Sequence, residues 1–218
     1  MEPAYYTVNI GGTPEALPII PTETGAIALL MVIDRGVHFG ERIGRLLAER
    51  LAPYRPEIVM GTATLGIPVA IEVTRALGLD RYVIAQKSRK IHLASALSAP
   101  VQSTTTEGAQ VLLLDQAYRP WMAGRRIVVV DDVAASGNSL KATLNLARQA
   151  DAKVKAIGVI LTEGYQWVET LGEDARHVHA LGHIPRFTRH GHVAAPILES
   201  PPAGFPIFSD SSPPMSHQ

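Results

Sequence analysis

One short stretch in the second half of the chain constrains the fold more than any other feature of the sequence. It spans residues 128–139 and reads VVVDDVAASGNS, an apolar run followed by two carboxylates and a loop of small residues. A helix is predicted over about 139–150, and another apolar strand over 156–161. A β–α–β unit whose strands are apolar throughout is typical of a parallel sheet covered by helices on both faces.

The rest of the chain supports the same α/β class. Short strands are predicted between residues 5 and 33, the last over 26–33, with breaks at Gly11-Gly12, Pro14, Pro18 and Pro21. The other predicted elements are strands over 57–60, 81–85 and 111–114, a helix with Ile43, Leu46, Leu47 and Leu51 on one face, and a helix that begins near Pro68 and buries Ala70, Val73 and Leu77. From 88 to 110 the apolar periodicity fails, which predicts a long loop without regular secondary structure.

Composition and charge exclude several classes of protein. Apolar residues make up 46% and charged residues 18% of the chain, the balance of a folded domain rather than a disordered one. The formal net charge is zero, so no overall charge favours nucleic acid or an anionic membrane. Cysteine is absent, which excludes disulfides and thiolate chemistry. With no apolar run as long as a membrane span and no signal-peptide pattern, the expected compartment is the cytoplasm.

The chain is predicted to contain one domain followed by a tail. Its 218 residues suffice for one α/β domain with a substantial core and short additions. Proline and serine become frequent beyond about Ala195. We therefore expect a domain over 1–195 and a flexible tail over 196–218.

Asp131 and Asp132 are the strongest candidates for chemistry. Ligands of parallel α/β sheets bind beyond the carboxyl ends of the strands, so both carboxylates are expected to face a substrate. The small residues that follow and the N-terminus of the next helix suit an anion such as phosphate. A phosphate bound there would bring adjacent sugar hydroxyls within reach of the acidic pair. Each feature alone also fits a plain strand end or a helix cap, but adjacent buried carboxylates repel each other and their charge needs compensation.

Two further segments follow predicted strands. Residues 61–66 read GTATLG, and their glycine spacing is similar to a Walker A loop, but Ile67-Pro68 stands where Lys and Ser or Thr are needed. A nucleoside-triphosphate loop is therefore not favoured. Residues 86–90 read QKSRK, a basic cluster suited to pyrophosphate oxygens. The alternatives are a plain strand-to-helix turn for the first segment and a solvated charged face for the second.

Together these segments resemble the phosphoribosyl pyrophosphate signature of type I phosphoribosyltransferases, closest to the adenine/xanthine group, over about residues 25–190. In that family two acidic residues precede a Thr-Gly-Gly-Thr-like loop. Here Ser136 and Ser139 stand for the threonines, and Asn138 stands for a glycine that the family often varies. The resemblance implies a parallel sheet flanked by helices, with a core over about 34–182. A small hood would come from 1–33 and the C-terminal part of the domain.

The resemblance also implies a role for each segment. Asp131 and Asp132 would hold the ribose hydroxyls and, directly or through water, Mg²⁺ as the cofactor. The residues that would bind the 5-phosphate are Ala135, Ser136, Gly137, Asn138 and Ser139. Those that would bind the pyrophosphate are Ala63, Thr64, Leu65, Lys87 and Lys90. Adenine and xanthine members usually carry an Arg-Lys pair where this chain has Gln86 and Lys87.

The resemblance indicates the identity of the base, and the residues that contact it, less directly. Residues 88–110 resemble the flexible hood loop of purine-type members, which would close over the site. Glu107 in this loop would hydrogen-bond or deprotonate the base, the alternative being a plain exposed glutamate. Val133 and Tyr165 would contact the base, Tyr165 as an aromatic platform or, alternatively, as a core residue. Xanthine enzymes carry a lysine near this tyrosine and this chain has none, which favours adenine or another base.

The implied activity is the transfer of a phosphoribosyl group from phosphoribosyl pyrophosphate to a nitrogenous base, such as a purine, by a homodimeric enzyme of purine salvage. The products would be a nucleoside monophosphate and pyrophosphate. Two alternatives remain: a non-catalytic regulator that senses phosphoribosyl pyrophosphate, and a sugar-phosphate-binding module without transfer activity. The histidines, including His177 and His179, form no metal-ligand pattern and are interpreted as structural or surface residues.

Overall fold

The computed structural model describes residues 4–23, 25–88, 95–101, 110–190 and 193–205. The strands in these ranges are β1 (Tyr5–Ile10), β2 (Thr13–Pro21), β3 (Ala26–Ala28), β4 (Ile58–Thr62), β5 (Tyr82–Ala85), β6 (Ala96–Val101), β7 (Gln110–Asp115), β8 (Arg126–Ala134), β9 (Lys153–Glu163), β10 (Val178–Ile184), β11 (Phe187–His190) and β12 (Val193–Pro196). The helices are α1 (Gly36–Leu51), α2 (Gly66–Ala76), α3 (Arg119–Met122), α4 (Asn138–Gln149) and α5 (Gln166–Leu171). Within these ranges no helix is both long enough and apolar enough to cross a membrane.

A central sheet of five parallel strands organises the molecule, in the order β10-β9-β8-β4-β5. Successive side chains of β8 enter different cores: Val128 and Val130 pack in the core that includes α1 and α2, whereas Ile127 and Val129 pack in the core that includes α4. All four side chains are fully buried, as alternation along a strand covered on both faces requires. The predicted parallel sheet between helices is confirmed.

A second sheet forms the hood, in the order β1-β2-β3-β11-β12. Its paired strands are antiparallel, and they come from both ends of the domain. The hood is fastened to the core where the Gly11 N–H donates to the Leu181 carbonyl, at 2.9 Å. Two arginines near α1, Arg35 and Arg42, reach the Glu15 carboxylate on β2. The hood is thus held next to the end strand of the central sheet.

The predicted breaks in the N-terminal strands are correct at Gly11 and Gly12, which have positive φ angles of 59° and 93° and form the turn between β1 and β2, and at Pro21, where β2 ends. Pro14 and Pro18 lie inside β2 instead of interrupting it. The ladder continues around Pro18 because its carbonyl accepts from Leu29 N and the next residue donates to the Ala4 carbonyl. The last predicted strand, 26–33, is short: β3 ends at Ala28, and a 3₁₀ helix occupies Val32–Arg35.

The prediction that 88–110 lacks regular structure is wrong for its middle part, because β6 pairs with β7 in a two-stranded antiparallel sheet. Ala99 is only 1% exposed, and Leu97 and Val101 on either side pack against the core that includes α4. Alternate residues of β6 therefore face inwards. Small side chains and Pro100 weaken this pattern in the sequence. Residues 89–94 and 102–109, which include Lys90 and Glu107, lie outside the described ranges.

Candidate active site

The acidic pair lies near the carboxyl end of β8. The strand is longer than predicted, and Asp131 pairs in register with Val159 of β9, inside the sheet rather than after it. Its side chain is buried, at 6% exposure, and Asp132 is half-buried. Burying one carboxylate beside another is unfavourable unless both are compensated by ligands or hydrogen bonds.

Three groups enclose the Asp131 carboxylate. Oδ1 of Asp131 accepts the backbone N–H of Asp132 at 3.1 Å, and the Thr62 side chain at the end of β4 provides a further hydrogen bond. The third group is the first residue of α2, since a β-carbon placed on Gly66 would lie 2.6 Å from the same Oδ1. Only glycine therefore allows the helix to begin this close to the carboxylate.

A hydroxyl pair links this region to α4. Oγ1 of Thr62 lies 2.9 Å from Oγ1 of Thr143, and both side chains are buried. The Thr143 hydroxyl is also 2.9 Å from the Ser139 carbonyl, which accepts from it in the first turn of the helix. The end of β4 and the start of α4 are thereby held at a fixed separation.

Burial raises the pKa of Asp131 well above its ordinary value, and the neighbouring Asp132 carboxylate raises it further. Burial also raises the pKa of Asp132. Hydrogen bonds from Asp131 and the backbone, together with the positive charge of Lys87, lower this pKa and partly offset the effect of burial. The pair thus holds less negative charge without a ligand than two exposed carboxylates would. A cationic or hydroxyl-bearing ligand would restore that charge.

These shifts predict how stability depends on pH. A carboxyl group whose pKa is raised by folding contributes most to stability while it is protonated, below its ordinary value of 3.8, and this contribution is lost as the pH rises through the folded pKa. Asp131→Asn should therefore gain melting temperature relative to the wild type as the pH rises from about 4 towards and above neutrality. Thermal unfolding across this range measures it. Asp80→Asn, at an exposed position, is the control. If the difference in melting temperature between Asp131→Asn and the wild type did not change with pH, the raised pKa of Asp131 would be contradicted.

The small-residue loop connects β8 to α4. Gly137 immediately precedes the helix with a φ of +78°, in the left-handed region that favours glycine. The Asn138 N–H donates a hydrogen bond to the Ser136 hydroxyl, at 3.4 Å. Of the five predicted phosphate-binding residues only Gly137 is buried, and Ala135, Ser136, Asn138 and Ser139 are half-buried. The loop thus presents its backbone and two hydroxyls at the N-terminus of a helix, as an anion site requires.

Two more predicted segments reach the same edge of the sheet. The turn after β4 contains Ala63, Thr64 and Leu65, with a cis peptide between the first two, and Ala63 N donates to the Ala85 carbonyl of β5 at 2.9 Å. Lys87 follows β5 and is exposed. Since β5, β4 and β8 are neighbours, the sheet order brings the turn, the lysine and the acidic pair together.

Tyr165 follows β9, on the other side of β8. It is buried, at 9% exposure, and its ring stacks on the His183 imidazole with centroids 5.1 Å apart and planes inclined by 29°. Nδ1 of His183 lies 2.9 Å from the Thr162 hydroxyl. Only a small part of the tyrosine is therefore open to a base. Val133, the other predicted base contact, is half-buried in β8.

Some residues of this region were not predicted as site residues. Thr62 and Gly66 contact Asp131, and His183 supports Tyr165. The GTATLG turn contains a signal for Gly66, because a helix that starts on glycine often approaches another group closely. His183 shows no such signal, since its position beside Tyr165 depends on the pairing of β9 with β10.

Comparison with known proteins identifies the family of the chain. The family model described as phosphoribosyl transferase domain matches residues 33–176, which contain the acidic pair, the small-residue loop, the 63–65 turn and Lys87. The chain belongs to the phosphoribosyltransferase family.

Curated relatives of this chain include both an enzyme and a regulator. The xanthine phosphoribosyltransferase of Laribacter hongkongensis is 28% identical over 126 residues, which cover 57% of this chain and 65% of that protein. The purine biosynthesis transcriptional repressor of Bacillus subtilis is 30% identical over 137 residues, which cover 63% of this chain and 45% of the repressor. The chain thus spans less than two thirds of either relative.

Solved phosphoribosyltransferases share the fold. The adenine phosphoribosyltransferase of Thermoanaerobacter pseudethanolicus superposes with a TM-score of 0.61 over 76% of this chain and 94% of that one, at 17% sequence identity. The type I phosphoribosyltransferase fold predicted for this chain is therefore confirmed. The family match ends before residues 177–205, which contain His183 and the last three strands.

Proposed function

We propose that this chain transfers a phosphoribosyl group from phosphoribosyl pyrophosphate to a nitrogenous base, a purine such as adenine. The observation that carries the proposal is the acidic pair at the carboxyl end of β8, with Asp131 buried and Asp132 half-buried, directly before a small-residue loop that precedes α4. Carboxylates beside a helix N-terminus suit a ligand that has hydroxyls next to a phosphate. Pyrophosphate would lie across the 63–65 turn, close to the positive charge of Lys87.

In this reaction a base nitrogen forms a bond to the anomeric carbon of the ribose as the bond from that carbon to the pyrophosphate oxygen breaks. Positive charge builds on the ribose ring, and negative charge leaves with the pyrophosphate. The contribution of Asp131 and Asp132 is to hold the ribose hydroxyls in place, and that of Lys87 is to stabilise the departing charge. The base loses a proton, for which Glu107 is the proposed acceptor.

The acidic pair suits Mg²⁺, because a hard cation prefers oxygen ligands. In the described part of the chain no group of three or more His, Cys, Asp or Glu side chains could hold a metal. Asp131 and Asp132 would be the protein ligands, directly or through water, with water and substrate oxygens completing the coordination. A bound Mg²⁺ would supply positive charge to the pyrophosphate.

The residues around Tyr165 favour adenine over xanthine. In the xanthine enzymes that this segment resembles, a lysine lies near this tyrosine, and this chain has no lysine there. Glu163 ends β9, two residues before Tyr165, and burial raises the pKa of its carboxyl group, partly offset by the positive charge of Arg186. Because of the missing lysine we propose adenine ahead of xanthine.

Pyrophosphate release tests this proposal. Purified chain, Mg²⁺ and phosphoribosyl pyrophosphate are incubated with adenine, guanine, hypoxanthine, xanthine or orotate, and pyrophosphate and nucleotide are both measured. We expect turnover with a purine, with the highest kcat/KM for adenine. Absence of turnover with every base, under conditions in which phosphoribosyl pyrophosphate binds, would contradict an enzymatic function.

The second candidate is a regulator that binds phosphoribosyl pyrophosphate without using it, and the match to the Bacillus subtilis repressor favours it. It predicts ligand-dependent stabilisation without pyrophosphate release. For either function we expect a homodimer in the cytoplasm, and sedimentation at micromolar concentration tests the dimer.

A further inference from the structure

The segment after β12 contacts the domain closely. Residues 197–205, which we name the C-terminal strap, begin with the Ile197 N–H donating to the Arg186 carbonyl at 2.7 Å. The Glu199 carboxylate then accepts from Nε of Arg186 at 2.5 Å. A β-carbon placed on Gly164 would lie 3.0 Å from Oε2 of Glu199. The first half of the strap therefore lies against the turn between β9 and α5.

The far end of the strap reaches the beginning of α5, directly after this turn, through an aromatic contact. The rings of Phe205 and Trp167 meet edge to face, with centroids 5.7 Å apart and an angle of 88° between the planes. Trp167 is 2% exposed, and its indole N–H donates to the Gly164 carbonyl at 3.0 Å. The strap thus contacts residues 164–167 at both of its ends; these residues, which we call the 164–167 turn, comprise the connection after β9 and the first two residues of α5.

This turn supports the small-residue loop. A β-carbon placed on Gly137 would lie 3.0 Å from the Cα of Trp167 and 3.2 Å from the Cβ of Thr170. The loop backbone therefore packs directly on α5, with no room for a side chain between them. The turn also contains Tyr165, the proposed base contact, so displacing it would disturb both parts of the site.

We propose that the C-terminal strap is a positioning element of the site: Phe205 and Glu199 hold the 164–167 turn, and Trp167 holds the loop at Gly137 in its anion-binding conformation. This inference rests on the proposed binding of phosphoribosyl pyrophosphate. Loosening the strap lowers the fraction of chains whose loop is ready to bind. The apparent affinity falls in proportion to the fraction of binding-competent chains, while turnover of the bound complex is retained.

Calorimetric titration of the full chain with phosphoribosyl pyrophosphate and Mg²⁺ tests the strap, together with KM and kcat. Removing an aromatic pair of this geometry corresponds to a change of roughly twofold to tenfold in an equilibrium constant. We therefore expect Phe205→Ala to raise Kd and KM by about twofold to tenfold and to change kcat by less than about twofold. Phe205→Tyr keeps the ring and should restore wild-type values. Leu198→Ala is the matched control, because Leu198 lies in the same segment and is 92% exposed.

The outcomes separate the two proposals. A folded Phe205→Ala variant with wild-type Kd would overturn the positioning role and leave the proposed function intact. If Phe205→Ala does not fold, Glu199→Gln is used instead, because it weakens the contact of the strap with the exposed Arg186. An unchanged Kd of Glu199→Gln overturns the proposal, and a raised Kd supports it. A wild-type chain that binds no phosphoribosyl pyrophosphate would overturn both proposals.

Discussion

Replacing Asp131 and Asp132 together with asparagine is expected to lower turnover by roughly a hundredfold or more, since removal of one preorganised electrostatic group from an active site costs about this much. Asparagine keeps the shape of the side chain but loses the charge that attracts Mg²⁺ and orients the ribose hydroxyls. The fold should persist, because neutral groups remove the repulsion between two adjacent carboxylates. Pyrophosphate release and thermal unfolding of the same preparation measure both effects.

Asp80→Asn serves as the control for this variant, because Asp80 is exposed and precedes β5, at the opposite end of the strand from Lys87. It should keep wild-type turnover and melting temperature. A double variant that remained active would remove the central claim of the proposed function. A double variant that unfolded would show instead that the pair is structural.

Gly137→Ala is the second variant with a large expected effect. Its methyl group would lie 3.0 Å from the Cα of Trp167, a backbone atom that cannot move without shifting α5. The loop must therefore shift, and we expect affinity for phosphoribosyl pyrophosphate to fall by about tenfold or more, in line with the loss that a small misplacement causes. Calorimetric titration with Mg²⁺ and phosphoribosyl pyrophosphate measures it.

Gly124→Ala is a matched control, because Gly124 has a similar φ of +75° and nothing lies within 4 Å of its β-carbon position. Both variants should lose about 1 to 2 kcal/mol of unfolding free energy through the left-handed backbone, and Gly137→Ala should lose more because its methyl group meets Trp167. Only Gly137→Ala should lose affinity. Equal affinity in the two variants would indicate that the loop does not bind the ligand.

Local sequence patterns were sufficient to predict the central sheet and to single out candidate site residues. The acidic pair was identified because it follows an apolar run and precedes a loop of small residues, a pattern within one short segment. The β6 strand was missed because its inward side chains include Ala99, whose small size gives a weak periodic signal. The end of β8 was placed too early because carboxylates rarely continue a buried strand, and here the contacts of Asp131 with Thr62 and Gly66 make that possible.

Contacts between distant segments could not be predicted in this way. His183 and Tyr165 stack because β9 and β10 are paired, and a single sequence does not specify that register. A flexible tail over 196–218 was predicted on composition alone; residues 206–218 lie outside the described ranges, and in the described part Phe205 packs on Trp167. Proline and serine are frequent in that segment, and one aromatic residue does not change its average composition.

The hydroxyl pair of Thr62 and Thr143 has a consequence for ligand selection. It ties the strand before the 63–65 turn to the helix after the small-residue loop. If both segments bind anions as proposed, their fixed spacing would select ligands of a matching length. A molecule with charged groups at both ends would make its second contact intramolecularly, whereas free phosphate or pyrophosphate would make only one contact. Rigidity between the segments, rather than strong binding by either one, would then distinguish the intact substrate from its fragments.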